Sequence, residues 1–310
     1  MASTRNYLAG VGASTIFGFS FLFSKNALDT LSFFELLFFR FLTAALVMTL
    51  LVLIGVVKVD YRNKRLLPLA LTAILQPVLY FLAESAGLKL VESSTAGIIL
   101  SAIPVMVTFM AALFLHERVR PVQILTTILS FSGVVVVVGF RSFGKVGGSL
   151  PGVLLIVLSM LLAALFNISS RRASRNFKPA ETTFFMMWFG AVVFGLLFGI
   201  ERLSPGAAPL AGRITVPVVT SILYLGLLSS IVAFFFVNYN LSKLKSAEAA
   251  VFANLTTVVS VAAGLLFRGE SFTLTDGLGA AMIILGVWGT NVLAKRPQAA
   301  PVAVPNPAVP

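Results

Sequence analysis

Residues 93–115 read SSTAGIILSAIPVMVTFMAALFL, 23 positions without a charged side chain. About 20 apolar residues in an α-helix span the hydrocarbon core of a bilayer. In lipid the backbone must satisfy its own hydrogen bonds, so a helix is the expected form. Barrel strands would alternate polar and apolar residues, and this stretch does not. Ser94, Gly97 and Ser101 fall at helical spacing and mark one small, polar face. Pro104 removes one backbone hydrogen bond and favours a kink.

The same pattern repeats along the chain. Further uncharged windows cover 6–24, 41–57, 66–83, 121–140, 146–170, 182–200, 214–242, 249–267 and 277–294. They predict helices near 7–25, 33–57, 66–90, 93–115, 121–140, 151–173, 181–200, 216–242, 247–267 and 275–294. Of 310 residues, 58% are hydrophobic and 11% charged, and the mean hydropathy is +1.00. A soluble domain carries about 25% charged residues, and so apolar a chain could not cover its surface with polar groups. Disorder is excluded for the same reason. Cysteine is absent and there is one histidine, His116. Disulfides, thiolate metal sites and paired imidazole catalysts are thereby ruled out. No metal or cofactor is expected.

A net charge of +12 would suggest nucleic acid in a soluble protein. Here it reads as basic loops gathered on one membrane side, with no nucleic-acid partner. With the amino terminus inside, fifteen Lys and Arg lie in inner segments and seven in outer ones; Arg40 lies within a helix. This bias places both termini in the cytoplasm and favours an even number of helices. The first helix reads as an uncleaved span, because no small-residue cleavage site follows its apolar core. The Pro/Ala-rich tail 297–310 is expected to be disordered.

Shifting the chain by 153 residues places Leu88 on Leu241, Glu117 on Glu270, and Gly133-Val134 on Gly286-Val287. Nearer the start of each half the shift is 146, which places Ser24 on Ser170 and Glu35 on Glu181. Each half holds five helices, so the second copy enters the membrane in the opposite sense. Inverted repeats of this kind are a recurrent transporter design.

These residues carry a resemblance. Arg40 after Glu35, Ala96-Gly97 with Pro104, His116-Glu117-Arg118, Gly133-Val134, Glu270 and Gly286-Val287 resemble the drug/metabolite transporter superfamily with two EamA-type repeats. Within it the chain is most similar to YddG-type exporters of aromatic and other amino acids. The resemblance covers about residues 7–295 and departs at Thr257, which stands where Pro104 stands in the first half. It implies a central cavity lined by helices 1–4 and 6–9, with helices 5 and 10 outside. The expected fold is an all-α integral membrane protein of ten transmembrane helices. Residues 1–145 form one five-helix repeat and 146–296 the other.

Intramembrane polar residues should face the cavity, because exposure to lipid is costly. Gln76, Tyr80 and Glu84 share one helical face. With Ser101, Asn167, Asn254 and Trp188, the residues Gln76 and Tyr80 are the candidate substrate contacts. Ser229 and Ser230 are further polar candidates on the eighth helix. Glu84 and Arg40 are candidates for protonation or for an ion pair. Pro77 and Pro104 are candidate gating kinks.

Phosphorylated substrates would need convergent Lys or Arg residues, which are missing. A neutral or zwitterionic molecule suits hydroxyls, amides and rings. The Gly139–Lys145 stretch resembles a phosphate loop but lacks the following Ser or Thr. Gly195 and Gly199 form a GxxxG spacing that marks tight packing, and a monomer or weak dimer is expected. An intramembrane enzyme would need convergent acid, base or metal groups, and none is evident. The expected function is export of small zwitterions, amino acids among them, across a bacterial inner membrane by alternating access. A neutral-metabolite or drug exporter of the same superfamily is the alternative.

Overall fold

A computed structural model describes residues 4–115, 121–143, 149–205, 209–244 and 252–292. The segments around His116-Glu117-Arg118 and the tail 297–310 lie outside the described residues. Ten helices run through the rest. They are α1 (Thr4–Leu28), α2 (Phe33–Leu53), α3 (Leu67–Leu90), α4 (Ser93–Leu100, resumed as Ile103–Leu115) and α5 (Pro121–Phe143). The second half holds α6 (Leu150–Ala173), α7 (Pro179–Leu203), α8 (Val216–Lys243), α9 (Ala253–Arg268) and α10 (Leu274–Val292).

Local chemistry sets the helix ends. Ser32 and Glu35 form a reciprocal capping box at the start of α2, with Ser32 N–H donating to Glu35 Oε2 at 2.8 Å. Pro179 and Pro217 occupy first-turn positions, where a missing N–H costs nothing. Gly269 closes α9 in the left-handed region at φ 60°.

Among the described residues, seven helices are long and apolar enough to cross a membrane: α1, α2, α3, α4, α6, α7 and α8. The apolar stretches Ile124–Val136 in α5, Leu255–Arg268 in α9 and Leu274–Gly286 in α10 are shorter. The expectation of ten spans counted the absence of charge. The expected ninth span, 247–267, begins outside the described residues.

Helices pack in pairs that exchange the two halves. α2 lies along α7, α4 along α9 and α5 along α10; α1 packs on α8 and α9 much as α6 packs on α3 and α4. Between α5 and α10 the correspondence reaches single atoms. A Cβ on Gly133 would stand 2.6 Å from Gly279 O, and one on Gly286 would stand 2.5 Å from Thr126 O. Both glycines, and both opposing residues, differ by 153 positions. Glycine is required at both because the obstacle is backbone, which cannot turn aside.

Helix irregularities also recur. α3 contains a π-helical stretch, Ile74–Leu79, in which Gln76 departs from helical geometry (φ −149°, ψ 118°) just before Pro77. α8 contains another, Tyr224–Ala233, which includes the positions 153 residues further on. α4 breaks at Ser101-Ala102, ahead of Pro104, whereas α9 runs unbroken through Thr257.

Candidate functional site

One end of the bundle is tied by ions and helix caps. Arg268 of α9 bonds Asp29 beyond α1 at 3.0 Å and also bonds Asn26. Glu270 accepts from Ser93 N–H at 3.0 Å and Ser94 N–H at 2.8 Å, and so caps α4. Burial pushes the Glu270 carboxyl up, but hydrogen bonds from Ser93 and Ser94 outweigh it and hold it below the usual carboxylate range. Lys25 donates to the terminal carbonyls of α3, Leu88 O and, at 2.6 Å, Val91 O. At the other end Glu181 of α7 accepts from Lys64 at 2.8 Å, and Tyr61 Oη donates to Glu181 O at 2.6 Å.

Between these ends lies a cavity of about 130 Å³, walled by α1, α3, α4, α6, α8 and α9. Its aromatic wall is Phe17, Phe21, Tyr80, Phe81, Phe166, Phe234 and Phe252. Its polar groups come from Ser14, Ser20, Gln76, Glu84, Asn167, Asn240, Thr256 and Thr257. The break in α3 is what turns the Gln76 segment off the helical path at this wall.

Four sequence candidates therefore meet in one cavity: Gln76, Tyr80, Glu84 and Asn167. Tyr80 Oη donates to Glu84 Oε1 at 3.0 Å, one helical turn away. Asn167 Nδ2 donates back to Ala163 O at 2.8 Å.

Ser101 and Trp188 stand apart. Ser101 is buried with its hydroxyl on Ile98 O at 2.6 Å and is not in the cavity wall. Trp188 lies in the α2–α7 seam, where its Nε1 donates to Thr49 Oγ1 at 2.9 Å. The large ring was drawn there by packing, which position along a helix does not reveal. Asn254 belongs to the first turn of α9, and its side chain lies outside the described residues.

Arg40 and Glu84 form no direct ion pair. Arg40 is 2% exposed, and its Nε and Nη2 donate to Ser230 and Ser229 of α8 at 2.9 and 2.8 Å. Its guanidinium lies 4.1 Å from the Phe81 ring centroid, a cation–π arrangement. Ser229 and Ser230 thus bind Arg40 and do not line the cavity. Ser14, Asn240 and Thr256 were missed by sequence reasoning. Ser14 donates to Phe252 O at 2.6 Å, and only the α1–α9 crossing makes it central.

An all-helical body with one cavity wall drawn from both halves, Glu84 its one charged side chain among the described residues, suits a small-molecule membrane carrier. The model of the EamA-like transporter family matches residues 4–139 and again 150–292. The chain belongs to the EamA-like transporter family, and it is a secondary transporter of the drug/metabolite superfamily, a multi-pass membrane protein and not an enzyme. It is 37% identical over 294 residues to the uncharacterized transporter YcxC of Bacillus subtilis, covering 93% of each chain. A probable terminal-alkyne amino-acid exporter of Streptantibioticus cattleyicolor is 25% identical over 67% of this chain and 68% of its own. One solved crystal structure superposes with a TM-score of 0.70 at 18% identity, over 96% of this chain and 100% of that one.

Proposed function

We propose that the protein exports small zwitterionic metabolites, amino acids including aromatic ones among them, across the bacterial inner membrane by alternating access. Two oppositely inserted units, 1–145 and 146–296, contribute ten membrane-crossing helices, and both termini are cytoplasmic. The observation that carries this reading is the shared cavity, whose wall draws α1, α3 and α4 from one half and α6, α8 and α9 from the other. A site at a seam between halves is exposed to one side or the other as the halves rock. The exchange of packing partners between halves supports the inverted arrangement. The aromatic part of the wall supports an amino acid with an apolar side chain. The relative described as a probable terminal-alkyne amino-acid exporter lends further support. Gln76, Tyr80 and Asn167 contact the substrate; Pro77 and Pro104 mark the segments that bend.

Counterflow of labelled phenylalanine into proteoliposomes tests this. Saturable counterflow that weakens at least about tenfold in Tyr80→Ala, with folded protein retained, is the expected result. Flux linear with concentration, or none with any amino acid, overturns it.

A further inference from the structure

We propose that the cavity reads the ligand's ammonium group and not its carboxylate, with Glu84 as the contact. Apolar primary amines are then ligands at least as good as the amino acids with the same side chain. The inference rests on the transport reading above and sharpens its substrate class.

Glu84 is 4% exposed and lines the cavity. Among the described residues, Tyr80 supplies the one hydrogen bond that reaches its carboxylate. No Lys, Arg or His side chain lines the cavity among the described residues. The nearest fixed cation, Arg40, is not part of the wall. Two of its nitrogens bond Ser229 and Ser230, and its flat face rests on Phe81, which is part of the wall. Arg40 can offset the charge of Glu84 through space; two of its five N–H donors bond Ser229 and Ser230, and it does not line the cavity.

A ligand ammonium therefore meets a carboxylate with an open coordination side, and aromatic faces that favour cations. A ligand carboxylate meets the same negative group at short range, in a medium that screens poorly. It would find only neutral donors such as Gln76 and Asn167. Differential recognition then falls on the amine.

The test uses the full chain in lipid nanodiscs and three probes: 2-phenylethylamine, its neutral N-acetyl derivative, and phenylalanine. Binding is read by calorimetry. The amine should bind at least as tightly as phenylalanine, and N-acetylation should weaken it about tenfold or more. Glu84→Gln keeps the shape and the Tyr80 bond, and should bring amine and N-acetyl derivative within about threefold of each other. Tighter binding of phenylalanine than of the amine, equal binding of the N-acetyl derivative, or full discrimination retained in Glu84→Gln each overturns the inference. The wild-type comparison decides it even if the variant does not insert. No probe bound by a protein that performs counterflow also overturns it. Absence of counterflow with every amino acid strikes the transport reading beneath.

Discussion

Lys25 and Arg171 perform one task at opposite ends of the bundle. Lys25 bonds Leu88 O and Val91 O at the end of α3, and Arg171 bonds Leu241 O and Leu244 O at the end of α8. The donors differ by 146 positions and both pairs of acceptors by 153, the two shifts by which the halves align. Each cation satisfies carbonyls that a helix terminus leaves without partners.

Loss of either clamp should loosen the end it holds. Lys25→Met and Arg171→Met are each expected to cost about 1–2 kcal/mol of stability. The chain has no cysteine, so single cysteines can report access from either side. Lys25→Met should raise thiol labelling at the Asp29 end, and Arg171→Met at the Tyr61 end. Equal labelling changes at both ends in both variants would reduce the clamps to general scaffolding.

Glu270 carries a pH dependence with a defined sign. Its folded pKa lies below the usual carboxylate value, so the carboxylate adds stability that is complete above the ordinary value of about 4.3. That contribution fades as the pH falls through the lower folded value. Melting of wild type against Glu270→Gln should show the largest gap near neutral pH and convergence in strong acid. A gap that widened on acidification would contradict the cap on α4.

Gly133 and Gly286 should tolerate no side chain. In Gly286→Ala the new methyl meets Thr126 O at 2.5 Å and Ser130 Cβ at 2.6 Å. Overpacking of this kind costs about 1–3 kcal/mol. The melting temperature should fall, while ligand affinity of the remaining folded protein stays the same, because α5 and α10 do not wall the cavity. Lost affinity at unchanged stability would show that α10 shapes the site.

Trp188→Phe separates seam from cavity. It removes the bond to Thr49 and leaves a smaller ring in the seam, at a cost of about 1–3 kcal/mol. Counterflow kinetics should stay within about twofold of wild type. A larger change would put Trp188 in the substrate path.

Helix placement was legible because lipid imposes one rule along the whole chain. The helices predicted at 66–90 and 151–173 lie within a residue of both ends of α3 and α6. The face holding Gln76, Tyr80 and Glu84 was legible for the same reason: three large polar groups at helical spacing need one common direction. Arg40 was not, because its partners Ser229 and Ser230 lie about 190 residues away on α8. Ser101 and Trp188 carried no directional signal. A lone hydroxyl can satisfy itself on its own helix, as Ser101 does on Ile98 O. The π-helical stretch in α8 was equally hidden, since Ser230 holds the position that Pro77 holds in α3.

α7 and α8 contain 25 and 28 residues, whereas their counterparts α2 and α3 contain 21 and 24. Each is thus about one turn longer. Perfect twins would leave a carrier's two extreme conformers degenerate when empty. The extra turns all fall at the Asp29 end, so they lift that degeneracy. In the proposed rocking cycle the two extreme conformers are therefore inequivalent even with no solute bound.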